Sequence, residues 1–137
     1  MEVSKIMTRD VVTVDVGASV REAASNMRDK NVGSAVVVRD GNLAGMVSDR
    51  DVAVRATAEG WDPNAHQVAE IMTPNPVSIS PQTDTMEVCR LIGQHKVRRL
   101  PVIEDHRVVG VVSCADLAHQ LRDELDSILA ETSKAEH

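Results

Sequence analysis

Two segments of this chain occur twice. Ile6-Met7-Thr8 returns as Ile71-Met72-Thr73, and Gly45-Met46-Val47-Ser48-Asp49-Arg50-Asp51 returns as Gly110-Val111-Val112-Ser113-Cys114-Ala115-Asp116, both at an offset of 65 residues. Laid over residues 6–53 without gaps, that offset gives 13 identities in 48 positions. Other pairs are aliphatic exchanges, such as Val14 with Ile79, Val38 with Ile103 and Leu43 with Val108. A repeat this regular restricts the 137 residues to two copies of one small unit. A copy of about 55–60 residues is marginal as an independent core, so the two are expected to pack face to face as one globule with pseudo-two-fold symmetry.

Each copy has the same order of elements. Val11–Val14 and Val77–Ser80 are short β-branched runs and predict a strand. Ser19 with Glu22, and Asp84 with Glu87, have capping-box spacing and open a helix. In the first copy this helix, 19–30, carries Val20, Ala23, Ala24 and Met27 on one face. The apolar runs Ala35–Val38 and Leu43–Val47 flank Asp40-Gly41-Asn42, and Leu100–Ile103 and Val108–Val112 flank Glu104-Asp105-His106; both read as hairpins. A second helix opens at Ser48 or Ser113. The expected fold is therefore α+β (α/β): two β-α-β-β-α repeats. The boundaries are 4–60 for the first, where Gly60 ends the last helix, 61–70 for a connector in which Pro63 blocks its continuation, and 71–125 for the second. Residues 126–137 complete a last helix, striped by Leu117, Leu121, Leu125, Ile128 and Leu129, with Glu131–His137 as a solvated tail.

Composition narrows the function. There are 22 valines, one Trp (Trp61) and no Phe or Tyr, so the core is aliphatic and no aromatic platform exists for stacking single-stranded bases. With a net charge of −6, no nucleic-acid partner is expected. No apolar run approaches the length that spans a membrane, and the N-terminus lacks the pattern of a secretion signal. Cys89 and Cys114 form no CxxC pair and are expected to be reduced thiols of a cytoplasmic protein. Cys89 reads as a small core hydrophobe, and Trp61 as a packing wedge between the halves.

Two features carry chemistry. The G-h-h-S-x-x-D segment lies where a strand turns into a helix. There Ser48 and Ser113 are placed to meet a phosphate or sugar oxygen, and Asp51 and Asp116 to accept from a ribose diol. The same spacing equally describes a capping box with no ligand. The second feature is His95-Lys96-Val97-Arg98-Arg99, a basic cluster at the mouth of a buried strand in an acidic chain, suited to phosphate but equally described as a solvated turn with ordinary charges. At the aligned positions the first half has Gly33 and Ser34, with Arg50 as partial compensation. No G-x-S-x-G elbow or HExxH motif is present. A zinc site at Cys114 or a histidine is a further, weaker option.

These motifs, in order and twice over, resemble the CBS domain, named for cystathionine β-synthase, over roughly residues 4–125. Asp49–Pro63 further resembles short bacterial CBS-pair proteins of the hypoxic-response type. The resemblance implies a non-catalytic regulatory module, commonly a homodimer, with two clefts that bind an adenosine-containing ligand such as AMP, ADP or ATP. That ligand would act as a signal rather than as a required cofactor, read by a dimer rearrangement or an effector protein. Carried over by position, Asp51 and Asp116 would hold ribose hydroxyls. Ser48 and Ser113 would contact ribose or the first phosphate, and Arg98, Arg99 and Arg50 would contact phosphate. Thr13, Val14, Ser78 and Ile79 would flank the adenine. The cleft of Asp116 is expected to be the main one, with that of Asp51 weakened by Gly33 and Ser34. The alternative is a scaffold or dimerisation protein whose Ser-Asp turns are only caps.

Overall fold

The computed structural model describes residues 1–135. After a 3-10 turn at Val3–Lys5, the first half runs β1 (Thr13–Asp15), α1 (Val20–Lys30), β2 (Ser34–Arg39) and β3 (Asn42–Ser48). It closes with one α-turn, α2 (Asp49–Asp51), that widens into a π-helical segment at Val52–Thr57. The second half has a 3-10 turn at Val68–Glu70, then β4 (Thr73–Pro74), α3 (Thr85–His95), β5 (Arg99–Glu104), β6 (Arg107–Ser113) and α4 (Cys114–Ala135). The strands form one sheet in the order β1-β2-β3-β6-β5, with β4 added to β3. Among the described residues one pairing, Asn42 with Arg107, joins the two hairpins.

Local chemistry accounts for these elements. Ser19 and Asp84 cap α1 and α3 by accepting from the backbone N–H of Glu22 (3.0 Å) and Met86 (3.0 Å). Among the described residues the reciprocal halves of those expected boxes do not form; Glu87 pairs with Arg90 instead. Asn31 and Lys96 end the helices in the left-handed region. Each hairpin turns through two residues with positive φ, Asp40-Gly41 and Asp105-His106, the backbone that a two-residue hairpin loop requires. Of the 19 buried apolar side chains among the described residues, ten are valine, as an aliphatic core demands.

The expected strand at Val77–Ser80 does not form. The first half's β1 pairs in parallel with β2 from Thr13 to Asp15, flanked by bonds from Val36 N–H to the Val12 carbonyl (2.9 Å) and from Val16 N–H to the Val38 carbonyl (2.9 Å). At the equivalent positions the second half has Pro101 and Pro81, which lack the donor. What remains is one bridge, Ile79 to Val102. The last helix also differs from expectation: residues 131–135 are helical, while Glu136 and His137 lie outside the described residues.

The halves interlock. Val3 is fully buried in the second half's core with Val88, Leu100, Val102 and Val112. Val68 and Ile71 are buried in the first half's core with Val14, Val20 and Val37. Two bonds related by the 65-residue offset pin the exchange: Val3 N–H to the Thr83 carbonyl (2.8 Å), and Val68 N–H to the Ala18 carbonyl (2.7 Å). Burying one such valine contributes roughly 1.5–3 kcal/mol, so each core depends on the segment that opens the other half. The crossing needs glycine. A Cβ on Gly45 would lie 2.6 Å from Met72 Sδ and 2.7 Å from the Thr73 carbonyl oxygen; on Gly110 it would lie 2.6 Å from Met7 Sδ and 3.1 Å from the Thr8 carbonyl oxygen. The two recurring motifs thus touch each other across the pseudo-two-fold axis.

Candidate functional site: twin clefts between the halves

Because the halves interlock, each cleft is built from both. The first, about 330 Å³, is lined by Thr8, Asp10, Val11 and Val12 and by Gly33 and Ser34 from the first half, and by Ser113, Asp116 and Arg99 from the second. The other, about 440 Å³, is lined by Thr73–Val77, His95, Arg98 and Arg99 from the second half, and by Ser48, Asp51 and Ser34 from the first. The 65-residue offset relates much of the two linings, Thr8 with Thr73, Val12 with Val77, Ser113 with Ser48 and Asp116 with Asp51, whereas the counterpart of His95, Lys30, does not line the first cleft.

This geometry reverses the pairing expected from sequence. Arg98 and His95 do not accompany Asp116; they stand in the cleft of Asp51. Gly33 accompanies Asp116. The reason is the crossing itself: each Ser-Asp turn faces the strand mouth of the opposite half. The Asp51 cleft therefore holds two arginines and one histidine against one carboxylate. The Asp116 cleft holds one arginine against Asp10 and Asp116. Among the described residues, neither the Arg98 nor the Arg99 side chain has a hydrogen-bond or ion-pair partner.

Both Ser-Asp turns are complete capping boxes. Ser48 N–H donates to Asp51 Oδ2 (2.8 Å) and Asp51 N–H to Ser48 Oγ (3.1 Å). Ser113 N–H donates to Asp116 Oδ2 (2.9 Å) and Asp116 N–H to Ser113 Oγ (3.1 Å). Capping uses one oxygen of each carboxylate and leaves Oδ1. Asp51 Oδ1 faces Arg55 Nε at 3.5 Å. At the position of Arg55 the second half has Gln120, which donates to Glu124, so Asp116 Oδ1 has no protein partner among the described residues. The caps hold each aspartate's position in its cleft without consuming it.

Five predicted residues lie elsewhere. Val14 and Ile79 are buried in the two cores, Thr13 and Ser78 are exposed, and none of the four lines a cleft. The apolar walls are instead Val11 and Val12, and Pro76 and Val77. Arg50 is exposed and lines neither cleft. Thr8 and Thr73, which close the recurring Ile-Met-Thr, line the clefts, as does Asp10; the recurrence of that motif was the signal for them. Trp61 packs on the first half's core and stacks on His66 (4.0 Å between ring centroids, 11° between planes). Cys89 packs on the second core, and Cys114 is exposed. Among the described residues no three His, Cys, Asp or Glu side chains gather to hold a metal ion, and no helix is long and apolar enough to cross a membrane.

Two interlocked α/β repeats with clefts related by a pseudo-two-fold axis define a tandem-repeat module. Residues 3–56 and 68–123 each match the CBS domain, and the chain belongs to the CBS domain family. It is 41% identical over 116 residues to the CBS domain-containing protein YhcV of Bacillus subtilis, covering 85% of this chain and 82% of the relative. The crystal structure of Hypoxic Response Protein I with two coordinated zinc ions superposes with a TM-score of 0.79 at 32% identity, over 87% of this chain and 98% of that one. The CBS domain pair of protein MJ0100, in complex with 5′-methylthioadenosine and S-adenosyl-L-methionine, superposes with a TM-score of 0.80 at 25% identity, over 90% and 98%.

Proposed function

We propose that this CBS pair is a non-catalytic regulatory module that binds a phosphorylated adenosine ligand, of the AMP, ADP or ATP type, in the cleft of Asp51. The observation that carries this is the meeting, in one cleft, of a fixed aspartate with Arg98, Arg99 and His95. Asp51 is placed for ribose hydroxyls, and the unpartnered guanidinium groups for phosphate. Aliphatic side chains and Pro76 supply the apolar wall for the base. The cleft of Asp116, more acidic and with a freer carboxylate, suits an adenosine derivative with less negative charge. The complex of the MJ0100 pair with two adenosine derivatives supports the ligand class.

A ligand that touches both halves favours one arrangement of them, and the shift is passed on by population. The output lies in a homodimer or in an effector protein. Exposure of Leu121, Leu125, Ile128 and Leu129 on α4, at 49–59%, supports such an association. That stripe, with caps that close without any ligand, also favours the second reading, a scaffold.

Thermal denaturation of the full chain with millimolar AMP, ATP, NAD and S-adenosylmethionine separates the two. A ligand at a hundred times its Kd stabilises by about 2.7 kcal/mol, so Tm rises with at least one of them. An unchanged Tm with all four overturns the ligand-binding reading and leaves the scaffold.

A further inference from the structure

Arg99, Ser34 and Met46 line both clefts, so the two cavities meet at this point. Ser34 and Arg99 are themselves related by the 65-residue offset, and the junction therefore holds one guanidinium where strict symmetry would give two or none. Backbone placement agrees: Arg99 lies opposite Ser113 in the β5–β6 register, beside the Asp116 turn, and next in sequence to Arg98, which belongs to the Asp51 cleft. A guanidinium swung into one cleft to grip a phosphate in a bidentate fork presents that edge, and most of its charge, away from the other cleft.

We propose that the two clefts compete for Arg99, so that a phosphorylated ligand in the Asp51 cleft weakens the Asp116 cleft for a second phosphorylated ligand. This rests on the adenosine-ligand reading and goes beyond it to the regulation of the pair. The Asp51 cleft, with Arg98 and His95 already present, fills first and draws Arg99 to its phosphates. Among the described residues no other Arg or Lys lines the Asp116 cleft. With Arg99 engaged elsewhere its remaining charges, Asp10 and Asp116, repel phosphate. Adenosine, having no phosphate, raises no contest. Coupling between binding sites is reciprocal, so neither cleft reports its ligand independently when the ligand is a nucleotide.

Calorimetric titration of the full chain with ATP and with adenosine tests this. The unmodified chain is compared with one whose Asp51 cleft is crippled (Asp51→Asn, which keeps an acceptor for the Ser48 cap, with Arg98→Ala), each with and without Arg99→Ala. The second ATP on the unmodified chain is expected to bind about tenfold more weakly than ATP binds the crippled one, a ratio within the usual range for coupled sites. Arg99→Ala abolishes that ratio, and adenosine does not show it. The competition is overturned if the second ATP binds equally tightly in both chains, or if the ratio survives Arg99→Ala or is equal for adenosine. Absence of binding by ATP and adenosine alike overturns the competition and the adenosine-ligand reading together, whereas binding without coupling overturns the competition alone.

Discussion

The two halves share an outline and differ at a few positions with large consequences. The first half has a true parallel strand β1, small residues at its strand mouth and a Ser-Asp turn whose carboxylate meets Arg55. The second half loses that strand to Pro81 and Pro101, carries the basic cluster at its strand mouth, and leaves Asp116 Oδ1 without a protein partner. Because the halves interlock, each difference appears in the opposite cleft. The basic strand mouth serves the first half's aspartate, and the bare one serves the second's. In a crossed repeat, the chemistry of a site is thus set by residues that no single repeat contains.

The largest expected effect tests the crossing. Gly45→Ala should destabilise the chain by about 1–3 kcal/mol, in the range for overpacking. Gly110→Ala should cost less, because the fixed carbonyl opposite Gly110 stands 3.1 Å from the new Cβ and the one opposite Gly45 stands 2.7 Å away. Denaturant melts of both variants give the order, and a costlier Gly110→Ala would break the account of the crossing.

A smaller effect separates the two helix caps. Asp84 caps α3, while its counterpart Ser19 caps α1. The chain's N-terminal ammonium (2.9 Å), then the Met86 N–H, hold the Asp84 carboxyl below the ordinary carboxylate range. A depressed carboxylate contributes stability that is full above its ordinary pKa and is lost as pH falls through the depressed value. Tm should therefore fall on acidification slightly more in the natural chain than in Asp84→Ser, whose cap cannot titrate. Identical pH profiles would show that this contact contributes nothing, as many exposed ion pairs do not.

The repeat, both hairpins, the helices α1, α3 and α4 and the Ser-Asp turns were legible in sequence, because local pattern encodes them. The missing strand was legible in principle, since Pro101 and Pro81 stand where donors are needed, but only once the first half's pairing is known. The pairing of basic cluster and aspartate was not legible. An offset of 65 residues relates equivalent positions without saying which turn faces which strand mouth. That depends on contacts such as Val3 in the second core and Val68 in the first, for which local periodicity carries no signal. The apolar cleft walls fall at Val11, Val12, Pro76 and Val77, just before the residues expected from sequence, because the chain passes the cleft before Val14 and Ile79 enter the cores.

The central claim is that Arg98 works with Asp51 and not with Asp116. ATP affinity, measured with and without Arg98→Ala in Asp51→Asn and in Asp116→Asn, tests it most directly. A charge-assisted hydrogen bond is worth about 1.5–3 kcal/mol. In Asp116→Asn, where the Asp51 cleft remains intact, Arg98→Ala should weaken ATP by tenfold or more, and in Asp51→Asn it should change little. The opposite pattern would place Arg98 in the cleft of Asp116 and contradict the crossed assembly of the site.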